Sequence, residues 1–204
     1  MHILGQKPLG IAILLLLALL VVVKRLASGS ILDRPAGRPF VQLVNVFNLF
    51  FLLLVNPAAA VLLILGSVAA VDPAHITVES RPVLVMLEGL GLLLYASGIL
   101  LMAWGLGTLG RSYQLGGLTP RPDDGMVTGG PYRLVRHPMY AAVLSISLGL
   151  AFLLQSGTAL LVFAVYLGLI WFLVPIEEAG LGRVYGAAYA AYRRKTGRVV
   201  PFVR

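Results

Sequence analysis

Residues 139–178 read MYAAVLSISLGLAFLLQSGTALLVFAVYLGLIWFLVPIEE, and no charged residue interrupts them before the closing pair, Glu177-Glu178. Two apolar blocks, 139–154 and 158–175, are separated only by Gln155-Ser156-Gly157. Blocks that approach the roughly 20 residues needed to cross about 30 Å of hydrocarbon read as transmembrane helices. A joint this short makes them an antiparallel hairpin. Whatever flanks the hairpin on either side therefore meets at one face of the membrane.

Outward from the hairpin the 204-residue chain repeats the same texture, with further apolar blocks at 9–23, 41–71 and 83–106. Hydrophobic residues make up 59% of the chain and charged ones 12%, against about a quarter charged in soluble domains. Lipid is the expected solvent, and no stretch is left to build a separate water-soluble core. The reading is one membrane domain over 1–204, with three N-terminal spans in 1–106 and a loop, hairpin and tail in 107–204. The first block resembles a secretory leader in length, but Lys24 and Arg25 follow it at once and no small-residue cleavage site is evident, so it reads as a retained helix. Cysteine is absent, which excludes disulfides, thiolate metal sites and cysteine nucleophiles.

The net charge of +8 suits either nucleic acid or anionic lipid headgroups. Its placement decides for lipid, because the basic residues gather at the ends of apolar blocks, where they set topology. The same rule settles block 41–71, which is long enough to cross once as a tilted or kinked helix or twice if broken at Asn56-Pro57. A single crossing puts Lys24, Arg25, Arg34 and Arg38 on the side of Arg111, Arg121, Arg133, Arg136 and a C-terminal cluster of Arg183, Arg193, Arg194, Lys195, Arg198 and Arg204. Only Lys7 and Arg81 then lie opposite. The expected fold is an all-α integral membrane protein of about five transmembrane helices, N-terminus outside, with a cytoplasmic C-terminal helix completing a pocket.

The polar regions flanking the hairpin carry the candidate chemistry. One is the loop 107–138, punctuated by Gly116-Gly117, Pro120, Pro122, Asp123-Asp124-Gly125 and Gly129-Gly130-Pro131 and ending in Tyr132, Arg136, His137, Pro138 and Tyr140. Glycines let backbone approach a ligand, Pro138 suits a first helical turn, and the unpaired N–H groups of that turn can hold a carboxylate. Arg136 and His137 add donors. His137 has no second nitrogen ligand nearby, since His2 and His75 lie outside, so no metal is expected. The other region is the tail, helical to about Lys195, with Leu181, Tyr185, Tyr189 and Tyr192 on one face. Glu177 and Glu178 begin it; one is expected to accept hydrogen bonds from ligand hydroxyls or an amine while the other pairs with Arg136. Asn45 and Asn48 read as helix-packing contacts, and Glu88 lies about a turn and a half inside the third span.

Three motifs now resemble the isoprenylcysteine carboxyl methyltransferase family, itself similar to the phospholipid N-methyltransferases. They are G-P-Y-x-x-x-R-H-P-x-Y from Gly130 to Tyr140, E-E-x-x-L at Glu177, Glu178 and Leu181, and Y-G-x-x-Y-x-x-Y followed by R-x-x-P from Tyr185 to Pro201. The likeness covers the C-terminal half from about Gly107. It departs at Ala142, where the family commonly has glycine, and at Ala179-Gly180, which weakens the start of the tail helix.

The resemblance implies S-adenosylmethionine as cofactor and a lipophilic or prenylated substrate arriving from the bilayer. It implicates Tyr132, Arg136, His137, Pro138 and Tyr140 with Glu177 and Glu178, and Tyr189 as a wall of the pocket. On that basis Gly130, Tyr132, His137, Pro138, Tyr140, Glu177 and Tyr189 are expected to hold the cofactor and Arg136 and Glu178 to be catalytic, with Arg136 orienting the acceptor carboxylate through a bidentate contact. The expected reaction is carboxyl O-methylation of a prenylcysteine-like molecule, without metal or nucleic acid. The alternatives are a phospholipid N-methyltransferase, an NADPH-dependent membrane sterol or enone reductase, and a non-enzymatic lipid-binding protein. The membrane would be the inner membrane of a prokaryote or the endoplasmic reticulum of a eukaryote.

Overall fold

The computed structural model describes residues 3–31, 39–112 and 125–201. Arg34, Arg38, Gly116, Gly117, Pro120, Arg121, Pro122, Asp123, Asp124, Arg204 and His2 lie outside the described residues. The apolar blocks form helices α1 (Gln6–Ser28), α2 (Pro39–Leu65), α3 (Arg81–Leu109), α4 (Pro138–Leu154) and α5 (Gly157–Lys195). Four are long and apolar enough to cross a membrane, and α4 is a shorter apolar helix. The protein is a multi-pass, all-helical membrane protein.

Block 41–71 resolves into one helix that ends early. Pro57 has no N–H to give to the ladder, and the preceding turn, Phe51–Val55, widens into a π-helix. Asn56 repairs the gap: its Nδ2 donates to the Phe51 carbonyl at 2.8 Å, and its Oδ1 accepts from the Tyr95 hydroxyl of α3 at 3.0 Å. The helix thus passes through Asn56-Pro57 and stops at Leu65, where Gly66 takes a left-handed φ of 67°. A single turn, Val68–Val71, follows.

Helices α3 and α4 pack closely along a seam of glycines, the small-residue packing that lets membrane helices approach. A Cβ on Gly149 would lie 2.6 Å from the Tyr95 nitrogen, and one on Gly98 would lie 2.8 Å from the Ala142 carbonyl oxygen. The departure at Ala142 is accommodated here: Ala142 is fully buried, and Gly98 across the seam leaves the room.

The two ends of the bundle are told apart by their contacts. At one end the Ile76 N–H donates to the Gln155 carbonyl and the Gly157 N–H to the Ala74 carbonyl, both at 2.8 Å. There too the Ile3 and Leu4 N–H groups donate to the Glu88 carboxylate at 3.0–3.2 Å. At the other end lie the residues before α4 and the tail after α5. The described basic residues Lys24, Arg25, Arg111, Arg133, Arg136, Arg183, Arg193, Arg194, Lys195 and Arg198 gather at this second end, with Lys7 and Arg81 at the first.

Candidate functional site

The last helix, at 39 residues, is longer than the roughly 20 needed to cross a membrane. Beyond Pro175 it continues as the tail, broken in φ only at Gly186. After Lys195 the chain turns back and runs beside the segment entering α4. The Arg136 and His137 N–H groups donate to the Gly197 and Arg198 carbonyls at 2.9 and 3.0 Å, and the Gly197 N–H to the Leu134 carbonyl at 3.1 Å. The hairpin and this backbone pairing together carry Arg136 and His137 to Glu177 and Glu178.

The adjacent glutamates face different neighbours. Glu178 is buried and accepts from Arg136 Nε at 2.8 Å and Arg198 Nη2 at 3.3 Å, with Arg193 Nε at 3.8 Å. Arg136 Nη1 donates further to the carbonyls of Arg193 (3.2 Å) and Thr196. A buried carboxylate so enclosed is compensated, and removing a partner would strand a charge. Glu177 instead accepts from the Tyr140 hydroxyl at 2.6 Å. His137 stands between the two, Nδ1 at 3.5 Å from Glu177 and Nε2 at 3.5 Å from Glu178. Burial alone would lower the His137 pKa, but the hydrogen bonds and charges of Glu177 and Glu178 outweigh it and hold the imidazole protonated above its usual range.

A cavity of about 600 Å³ opens beside this cluster. Its polar end is lined by Tyr132, Arg136, His137, Tyr140, Glu177 and Tyr189, and Leu181, Tyr185 and Tyr192 of the predicted tail face also reach it. Its far end runs down between α1 and α2 along Leu14, Leu17, Leu49, Leu52 and Leu53. The volume lies in the range of small-molecule sites, and the two ends differ in chemistry as the two ends of an amphiphile do.

Of the residues singled out from sequence, Tyr132, Arg136, His137, Pro138, Tyr140, Glu177 and Tyr189 line this cavity. Two do not. Gly130 packs with a left-handed φ of 54° against α3, where a Cβ would lie 3.1 Å from Trp104 Nε1. Glu178 lies behind Tyr189, lining a smaller polar pocket with Arg193 and Arg198. The bidentate grip of Arg136 on an acceptor is also corrected, since Nε and Nη1 are already committed to the protein.

Residues missed by sequence reasoning include Thr196 and Arg193, whose carbonyls accept from Arg136, and Arg198, which heads the R-x-x-P motif yet was given no role. Tyr192 was placed on the tail face, but its hydroxyl is spent on the Tyr132 carbonyl at 2.7 Å. Asn45 and Asn48, read as packing contacts, lie on the cavity wall.

Comparison with known proteins adds the following. The sequence profile of a family described as phospholipid methyltransferase matches residues 87–188. Protein-S-isoprenylcysteine O-methyltransferase A of Arabidopsis thaliana is 32% identical over 118 residues, 55% of this chain and 58% of the relative. Protein-S-isoprenylcysteine O-methyltransferase B of the same plant is 30% identical over 122 residues, 57% of this chain and 60% of the relative. The chain thus spans less than two thirds of these relatives. The solved structure of a eukaryotic intramembrane Ras methyltransferase, isoprenylcysteine carboxyl methyltransferase, superposes with a TM-score of 0.52 over 80% of this chain and 74% of that one, at 20% identity. The fold is shared at that level, and the two plant relatives carry the name of the family that the three motifs resemble.

Proposed function

The chain belongs to the phospholipid methyltransferase family, and from that membership we propose that it transfers a methyl group from S-adenosylmethionine to a membrane-borne lipophilic acceptor, the carboxylate of a prenylcysteine-like molecule. The observation that carries this reading is the single cavity joining the tyrosine-lined ionic cluster to an apolar wall inside the bundle. A polar cofactor fits one end and an isoprenoid chain the other.

The residues suit the cofactor in three respects. Glu177 offers a carboxylate to hydroxyls or an amine. Tyr189 Oη is buried without a hydrogen-bond partner among the described residues, so polar capacity is left for a ligand. Tyr132, Tyr140, Tyr185 and Tyr189 gather faces that favour a cation. Bound there, S-adenosylmethionine supplies an electrophilic methyl group on a positively charged sulfur.

What the chain itself does is position and exclude water. An acceptor carboxylate is ionised at neutral pH, so no residue need remove a proton from it. Tyr140 and His137 hold the Glu177 carboxylate in place. Arg136 acts as a positioning residue that ties Glu178 to the returning tail, and its charge favours an anionic acceptor nearby. Two reactants confined together gain from orientation and from loss of water. The concentration of basic residues at this end supports, by the positive-inside rule, a cytoplasmic face; the membrane proposed is the inner membrane of a prokaryote or the endoplasmic reticulum of a eukaryote.

Purified protein incubated with methyl-labelled S-adenosylmethionine, a farnesylcysteine analogue and phosphatidylethanolamine tests the reading. Label is expected in the farnesylcysteine as a base-labile ester. Label in phosphatidylethanolamine alone would replace the acceptor with an amine. Binding of NADPH and not S-adenosylmethionine would replace methyl transfer with reduction, and binding of neither would leave a lipid-binding protein.

A further inference from the structure

The smaller pocket behind Tyr189 takes no part in the reading above. Glu178 lies at its buried side, and Arg193 and Arg198, 54% and 32% exposed in their side chains, lie toward solvent. A straight helix would set Arg193 about 27 Å beyond Pro175 at 1.5 Å per residue. The break at Gly186, φ 52° and ψ −123°, lets both line one pocket. Ala179, Gly182, Gly186 and Ala190 present nothing larger than a methyl group, and about 420 Å³ stays open between them and the arginines.

Charge there favours an anion. Glu178 faces the pocket, but Arg136, Arg193 and Arg198 all direct donors at it, so the cluster is net positive. Arg198 gives Nη2 to Glu178 at 3.3 Å, while its Nε is buried with no hydrogen-bond partner among the described residues. A buried donor is costly until an acceptor meets it. Depth tells which anion. Trp171 and Phe172 are 71% and 67% exposed, as aromatic residues at a membrane interface are. Pro175 follows about 6 Å along the axis from Trp171, within the headgroup layer that adds about 5–8 Å to each side of the hydrocarbon.

We propose that this pocket binds the phosphate of an anionic phospholipid from the surrounding leaflet, held between Arg193 and Arg198, with the acyl chains lying along Trp171 and Phe172. Guanidinium forks match phosphate oxygens. Tyr189 stands between this pocket and the cofactor cavity, lining both, and the lipid site does not depend on the methyl-transfer reading.

The chain has two tryptophans, Trp104 and Trp171, so Trp104→Phe leaves Trp171 as the fluorescent reporter beside the pocket. In that background the protein is reconstituted in phosphatidylcholine vesicles. Quenching by phosphatidylglycerol with brominated chains is compared with quenching by brominated phosphatidylcholine, in about 0.5 M salt so that exposed surface charges are screened beyond a few ångströms. Phosphatidylglycerol is expected to be preferred at least tenfold. Arg193→Gln keeps the backbone carbonyl that Arg136 uses and should lose about tenfold of that preference, the effect of a charge-assisted hydrogen bond. Lys195→Gln, an exposed tail cation outside the pocket, should lose less than about twofold under this screening. Should Arg193→Gln fail to fold, Arg198→Gln gives the same comparison. Equal quenching by the two lipids, or equal loss in the pocket and control variants, overturns the proposal. A preference abolished by excess inorganic phosphate would give the pocket to a free phosphate and overturn the lipid.

Discussion

Both ends of the bundle close on a buried glutamate, and the two carboxylates are satisfied in different ways. Glu88, 1% exposed in α3, accepts backbone N–H groups from Ile3 and Leu4. Glu178 accepts from arginine side chains delivered by the segment before α4 and by the returning tail. Beside Glu88, Ile3 and Leu4 fasten the start of the chain to α3. Beside Glu178 the partners also organise Glu177, His137 and Tyr140 around a cavity. Glu88 ties the backbone before α1 to α3, whereas the arginines around Glu178 join the segment before α4 to the tail beside a cavity.

The largest expected effect breaks the second arrangement. Glu178→Ala should cost about 3–5 kcal/mol in stability, because Arg136 is left buried without its counter-charge, and methyl transfer should be lost with it; thermal unfolding in detergent reads the first and labelled turnover the second. Glu177→Gln separates the two glutamates. It should leave unfolding within about 1 kcal/mol and weaken S-adenosylmethionine binding tenfold or more, as loss of a charge-assisted hydrogen bond does.

Smaller changes sharpen the contrast from the other end. Glu88→Gln keeps one oxygen able to accept from both N–H groups and should cost about 1 kcal/mol in stability with no change in cofactor affinity. An altered affinity would make that end part of the site. The smallest effect concerns pH. Because the folded His137 pKa is raised above its ordinary value, the stability it contributes is complete below about pH 6.5 and is lost as pH rises through the folded value. The stability difference between wild type and His137→Gln should therefore shrink on going alkaline; a difference that grows would reverse the assignment.

How much of this was legible in the sequence depends on what each feature is made of. The spans and the hairpin were legible, because lipid demands long apolar runs and Gln155-Ser156-Gly157 left no other joint. The meeting of His137 with Glu177-Glu178 followed from that joint. Which glutamate faces the cavity was not legible, since neighbouring residues on a helix point about 100° apart and only the packing of α4 against α5 says where each looks. The return of residues 196–198 along 134–137 was equally hidden, being backbone pairing with no hydrophobic period. The role of Ala142 needed Gly98, which is distant in sequence.

The central claim is that the tyrosine-lined polar end of the cavity, with Glu177 in it, holds S-adenosylmethionine. Calorimetric titration of the purified protein in detergent tests it most directly. The expected result is saturable one-to-one binding in wild type that is weakened at least tenfold in Glu177→Gln at unchanged unfolding temperature; absence of binding to the folded wild-type protein, or binding indifferent to Glu177, would contradict it.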